Sequence, residues 1–75
     1  MENQSYFLVK SYMKGELAHL YNPNTSIRTA NRILMEWIER NNELNTALAK
    51  LGMRKCDRIF PPRAVQLIVQ HLGEP

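Results

Sequence analysis

The sequence predicts a small, mainly α-helical single domain of about four helices, with little or no strand. Three observations lead to this prediction. Apolar residues recur at helical spacing in several separate stretches, proline and glycine lie between those stretches, and a chain of 75 residues with 44% hydrophobic content can build one modest core. We divide the chain into an N-terminal extended segment, residues 1–13, and one helical domain, residues 14–75.

The first predicted helix spans Lys14–Tyr21 and is short. Leu17, Leu20 and Tyr21 have the i, i+3, i+4 spacing of an inward face. A tight turn follows, because Pro23 cannot continue a helix. The residues before this helix, 6–13, are rich in aromatic and β-favouring side chains, so they predict a small strand or extended segment, with an early helix as the alternative.

The second predicted helix has the most regular pattern in the chain. Either Thr25 or Ser26 can cap its start. Its predicted inward stripe consists of Ile27, Ala30, Ile33, Leu34, Trp37 and Ile38. The residues predicted opposite that stripe are Arg28, Arg32, Met35 and Glu39, with Thr29 and Asn31 on the flanks. Trp37 is therefore predicted to pack in the core.

Two further helices complete the prediction. Asn41 can cap a third helix over residues 42–51, which ends before Gly52; its predicted inward residues are Leu44, Ala47, Leu48 and Leu51.

Residues 53–60 lack a helical period and predict a loop or extended segment. Pro62 suits the first position of a last helix, residues 63–72. That helix is apolar around more than half its circumference, so it is either the central core helix, which we favour, or partly an interface with a second copy.

Composition excludes several classes of function. One cysteine, Cys56, and two distant histidines, His19 and His71, are too few for a structural zinc site, which needs about four ligands. Phosphate-loop, dinucleotide-binding and hydrolase motifs are absent from the sequence, so we expect no enzyme activity, no cofactor and no metal. No apolar run is long enough to span a membrane, and no secretory signal pattern is present, so we expect a cytoplasmic protein.

The two helices around the Pro23 turn have the layout of a helix-turn-helix, in which one helix braces and the next enters the DNA major groove. The outward face of the second helix is basic and polar at its start and acidic towards its end, which is the direction a recognition helix requires. Arginine can bind guanine, asparagine can bind adenine, and hydroxyl groups can reach phosphate or base. The predicted recognition residues are Ser26, Arg28, Thr29, Asn31 and Arg32.

The positive charge of the chain is concentrated before the last helix. The net charge is +3, and residues 51–63 carry four basic residues against Asp57 alone. In winged helix-turn-helix proteins a hairpin or loop in this position lies against the phosphate backbone. The predicted phosphate contacts are Lys14, Arg54, Lys55 and Arg58. A solvated basic loop without a ligand is the alternative.

The predicted partner is double-stranded DNA. Because one small domain has a small DNA footprint, high specificity would need a homodimer. The competing hypothesis is a protein-interaction module on a helix-turn-helix-like scaffold that does not touch DNA. Such a module would use the last helix or the face around Met35 to meet its partner.

Four stretches carry a family resemblance: KGELAHLY, NRILMEWI, ELNTALAKLGMRK and RIFPPRAVQLIVQHLGEP. Together, over roughly residues 12–75, they resemble a group of short uncharacterised bacterial proteins classed as a domain of unknown function, which end in Leu-Gly-Glu-Pro. A more distant likeness is to winged helix-turn-helix proteins of the MerR and excisionase type. It is carried by Glu16-Leu17-Ala18, Trp37 and Arg58-Ile59-Phe60. This likeness implies a transcription regulator or an excisionase-like factor of a mobile element.

Overall fold

Residues 7–54 and 56–75 are described by a computed structural model, and within them the chain forms four helices and two very short strands. The elements are β1 (Tyr12–Met13), α1 (Lys14–Tyr21), α2 (Ile27–Arg40), α3 (Asn42–Lys50), β2 (Ile59–Phe60) and α4 (Pro62–Leu72). The predicted mainly α-helical class is confirmed. The boundaries of α1 are those predicted, and α3 and α4 differ from the prediction by one residue each.

The helices begin and end where side chains or backbone geometry allow it. Ser26 caps α2, because its Oγ accepts a hydrogen bond from the Thr29 N–H at 3.2 Å. Asn41 ends α2 and caps α3, with its Oδ1 accepting from the Leu44 N–H at 3.0 Å. α4 starts with Pro62, whose missing N–H costs nothing in the first turn. Gly52, just beyond α3, has a φ of 87°, the left-handed region that favours glycine.

A two-stranded antiparallel sheet joins the start of the domain to the segment before α4. Tyr12 pairs with Phe60, and Met13 pairs with Ile59. The Lys14 N–H extends the ladder by donating to the Arg58 carbonyl at 2.8 Å. The N-terminal strand prediction is therefore confirmed at Tyr12–Met13; residues 1–6 lie outside the described part of the chain.

The core draws on every helix and on β2. Its buried apolar residues are Leu17, Ala18, Ala30, Leu34, Ile38, Leu44, Leu48, Phe60, Ala64, Val65 and Ile68. Three more residues of α4, Leu67, Val69 and Leu72, are partly buried against this cluster. The apolar circumference of α4 is thus used mainly within the domain, in agreement with the core interpretation of the last helix.

The inward face of α2 is rotated from the prediction. Ile27 is 55% exposed and Trp37 is 37% exposed, whereas Met35, predicted to face outward, packs against the core. The reason is tertiary: Met35 lines a small cavity together with residues of α3 and Met53, and periodicity cannot show which flank gains a neighbour. Trp37 packs edge-on against Tyr21 instead, with the ring centroids 6.1 Å apart.

In α1 and α3 the predicted inward sets are also partly wrong. Leu20 is 47% exposed, and the small Ala18 is buried in its place, because α1 lies close against α2 through that side. Leu51 is 40% exposed because α3 ends one residue before it. Helix ends commonly escape burial even when their spacing matches an apolar stripe.

Tyr21 ties α1 to the end of α4, and this contact gives a pH-dependent prediction. Its hydroxyl donates to the Gly73 carbonyl, and burial first, then the negative charge of Glu74, raises the pKa of Tyr21 from 10.0 to about 12. The neutral hydroxyl therefore stabilises the fold fully below pH 10.0, and this contribution is lost as the pH rises through about 12.

We expect the stability advantage of wild type over Tyr21→Phe to shrink between pH 10 and 12. Paired urea titrations at pH 9, 10.5 and 11.5 would measure the difference in the free energy of unfolding. Using the difference cancels the titration of lysines and of the other tyrosines. A difference that stays constant over this range would contradict the raised pKa.

Candidate nucleic-acid interface

A surface groove of about 350 Å³ lies where the starts of α1 and α2 meet the segment before β2. We call it the basic groove. Its lining residues are Met13, Lys14, Gly15, Ile27, Arg28, Asn31, Cys56, Asp57 and Arg58. Three basic side chains thus lie around it against one carboxylate, that of Asp57.

Close helix contact forms one wall of the basic groove. Gly15, in the first turn of α1, has no side chain, and a Cβ placed there would lie 2.9 Å from Ile27 Cγ2. The first turn of α1 can therefore lie directly against the first turn of α2. As a result the N-terminal ends of two helices, with their partial positive charge, border the same groove.

Arg28 and Arg58 face the basic groove from opposite elements. Arg28 is exposed in the first turn of α2, and Arg58 is exposed immediately before β2. The position of Arg58 is fixed by the hydrogen bond from the Lys14 N–H to its carbonyl. A tight turn precedes it, in which the Arg54 N–H donates to Asp57 Oδ2 at 2.9 Å.

Lys14, a predicted phosphate contact, lines the basic groove but is buried. The residue is only 8% exposed, and its Nζ donates to the Arg54 carbonyl at 3.3 Å while lying 5.4 Å from the centre of the Phe60 ring. The strand pairing of its neighbours draws Lys14 inward. The ammonium group therefore holds the segment before β2 in place. It also adds positive charge to the lining of the groove.

The remaining predicted recognition residues are less free than their sequence positions indicated. The Ser26 hydroxyl is used as the cap of α2 and also donates to Thr29 Oγ1 at 3.1 Å. Arg32 lies outside the basic groove and pairs with Glu36 at 3.1 Å on the exposed face. Asn31 lines the groove but is half-buried, and its Oδ1 is enclosed without a hydrogen-bond partner among the described residues.

The residues predicted to bind phosphate in the segment before β2 do not all lie at the basic groove. Arg54 borders a separate small cavity of about 80 Å³ between α2 and α3, near Glu39 and Met53. Lys55 lies outside the described residues. The structure thus brings Arg28, Asn31, Lys14 and Arg58 together, and it places Ser26, Thr29, Arg32 and Arg54 elsewhere. Asp57 and Cys56 were not predicted as site residues, and only their position next to Arg58 could have indicated them.

Two further findings concern other kinds of site. In the described part of the chain, His, Cys, Asp and Glu residues form no group of three or more that could hold a metal ion. None of the helices formed by residues 7–54 and 56–75 has the length and apolarity needed to cross a membrane.

The fold and the groove define a small, four-helix domain with a basic surface groove at the meeting of two helix starts. Residues 8–75 match the model of a protein family, the domain of unknown function DUF4248. The chain belongs to this family, and the expected membership of an uncharacterised domain family is confirmed. No curated protein and no solved structure matches the chain.

Proposed function

We propose that this domain is a non-enzymatic protein that binds double-stranded DNA with the first half of α2 and Arg58. α1, the Pro23 turn and α2 would act as a helix-turn-helix, with α1 bracing and α2 offered to the DNA. A transcription regulator or an excisionase-like factor of a mobile element, acting in the cytoplasm, is the role that this arrangement suits.

The observation that carries the proposal is the shared location of Arg28 and Arg58. These residues come from different elements, yet both line the basic groove. A protein-interaction module has no need of cations that converge from distant parts of the chain. Convergent arginines are typical of surfaces that contact a phosphate backbone.

The charge distribution along α2 adds support. The first turn of α2 contains no acidic residue, and Arg28 lies there against the unfavourable positive end of the helix dipole. An exposed residue that works against local helix stability is expected where binding requires it. The second half of α2 contains two acidic residues, Glu36 and Glu39, and Glu36 is bonded to Arg32.

The test is fluorescence anisotropy of a labelled random-sequence duplex across a salt series. We expect a dissociation constant of roughly 1–100 μM at low salt, the range of non-specific DNA binding. The double substitution Arg28→Ala/Arg58→Ala should weaken binding at least about tenfold, because it removes both exposed cations of the groove.

Arg40→Ala supplies the matched control. Arg40 is also an exposed arginine of α2, but it lies in the last turn, at the opposite end of the helix from the basic groove. Its removal lowers the net charge by one, as each of the single substitutions Arg28→Ala and Arg58→Ala does, but it does not touch the groove, so it should change the affinity by less than about twofold. A loss in Arg40→Ala equal to that in Arg28→Ala would indicate a response to net charge alone.

The second candidate function, a protein-interaction module, rests on exposed apolar side chains beside the groove. Met13 and Ile59 are cross-strand partners, each 54% exposed, and Ile27 is 55% exposed. This surface, rather than α4, would meet a partner or a second copy, because the apolar residues of α4 pack mainly into the core. A folded wild-type protein that fails to bind duplex DNA at low salt would favour this function over DNA binding.

A further inference from the structure

We infer that the basic groove binds a single phosphate group and that Arg28 and Arg58 both contact this phosphate. The inference rests on the proposed function for the source of that phosphate, a phosphodiester of the DNA backbone. In this inference Arg28 contacts the DNA backbone rather than the edge of a base. It therefore predicts that contact at this groove is independent of DNA sequence.

The chemistry of the lining selects an anion. Guanidinium groups present planar forks of N–H donors that match phosphate oxygens, and two of them line this one groove. Asp57 is the opposing charge, and its Oδ2 already accepts a hydrogen bond from the Arg54 N–H. Lys14, Arg28 and Arg58 also line the groove, so three basic side chains outweigh this one carboxylate.

The supports of the groove hold it in a form suited to a compact ligand. Lys14 holds the segment before β2 against the domain, because its ammonium group donates to the Arg54 carbonyl and its backbone N–H donates to the Arg58 carbonyl. The backbone of Arg58 is therefore fixed in position. On the other side, the contact between Gly15 and Ile27 brings two helix starts to the groove edge. The Glu16 carboxylate accepts a hydrogen bond from the Met13 N–H and offsets the positive end of α1. The first turn of α2 has no acidic residue, so the dipole of α2 adds to the field of the arginines.

The distribution of the arginines, rather than the size of the groove, favours one phosphate shared by two arginines. A volume of about 350 Å³ has room for more than a phosphate group. Phosphates gripped separately would need cations spread along the surface, whereas Arg32, the next arginine of α2, lies outside the groove and is paired with Glu36.

The reactivity of Cys56 can report whether a ligand occupies the basic groove. Cys56 is the single cysteine of the sequence, is exposed, and lines the basic groove. We would measure the alkylation rate of Cys56 by N-ethylmaleimide, a neutral reagent, with inorganic phosphate or with chloride at the same ionic strength. Phosphate should slow alkylation severalfold in wild type and have no effect in Arg28→Ala/Arg58→Ala.

Arg40→Ala/Arg63→Ala is the matched control for this experiment. Both arginines are exposed and lie outside the groove lining, and their removal lowers the net charge by two, as Arg28→Ala/Arg58→Ala does. Phosphate should protect Cys56 in this variant as it does in wild type. Absence of protection in folded wild type would overturn the phosphate site.

The salt dependence of duplex binding then distinguishes one shared phosphate from two. Each neutralised phosphate contributes about 0.9 to the slope of log affinity against log salt concentration. If Arg28 and Arg58 share one phosphate, the double substitution should lower the slope by about 1 in total, no more than the larger single substitution. A fall of about 2 would overturn the shared phosphate while leaving DNA binding intact.

The same experiments separate this inference from the proposed function. Protection of Cys56 by inorganic phosphate without any duplex binding would support the phosphate site and reject DNA as its source, leaving free phosphate or a nucleotide. Duplex binding without protection of Cys56 by phosphate would support the proposed function and reject the site.

Discussion

Replacing Phe60 with alanine is expected to lower the free energy of unfolding by about 3–5 kcal/mol. Phe60 is 1% exposed, lies in the central cluster, and forms the ring beneath the Lys14 ammonium group. Its loss leaves a cavity and also removes the ring against which that ammonium group packs. A domain of 75 residues has a total stability of roughly 4–11 kcal/mol, so this variant should be close to unfolding.

Urea unfolding followed by circular dichroism would measure this loss. Ile59→Ala is the matched control, because Ile59 is the neighbouring residue of β2, faces outward and is 54% exposed. Its cost should stay below about 1 kcal/mol. If Phe60→Ala lowered the free energy of unfolding no more than Ile59→Ala does, β2 could not be packed on the core as the structure shows. The side of the basic groove formed by residues 56–58 would then lose its support.

The second large effect is expected from Arg28→Glu, which should raise stability while weakening DNA binding at least about tenfold. The substitution places a carboxylate in the first turn of α2, where no acidic residue is present, and a favourable i, i+4 pair with Arg32 becomes available. We expect a gain of about 0.5–1 kcal/mol in the free energy of unfolding.

Thermal or urea unfolding and duplex anisotropy, carried out on the same preparation, would check both halves of this result. Arg40→Glu serves as the control, since it makes the same charge change at the other end of α2, where an acidic residue opposes the helix dipole. It should therefore reduce stability and affect binding much less. A loss of stability in Arg28→Glu would mean that Arg28 supports the fold rather than a ligand.

The helices could be predicted from sequence because their determinants are local. Asn41, Ser26 and Pro62 are start signals that act within one turn, and the apolar spacing of α2 extends over several turns. Such features need no knowledge of the rest of the chain. The predicted four-helix, mainly α class followed directly from them and was confirmed.

The wrong predictions concern residues whose surroundings depend on distant segments. Met35 is partly buried near residues of α3 and Met53, and Lys14 is buried because β1 pairs with β2. A two-residue strand pair between Tyr12–Met13 and Ile59–Phe60 has almost no local pattern. The convergence of Arg28 and Arg58 depends on the same pairing, so sequence spacing could nominate each residue but not their shared groove.

The basic groove also has a thermodynamic consequence, because its walls come from three stretches that are distant along the chain: residues 13–15, 27–31 and 56–58. An unfolded chain cannot hold these stretches together, so an anion that binds the groove binds only the native state. At a ligand concentration 100 times its dissociation constant, binding would add about 2.7 kcal/mol to the free energy of unfolding. For a domain of 75 residues, such a ligand would supply a substantial fraction of the free energy of unfolding.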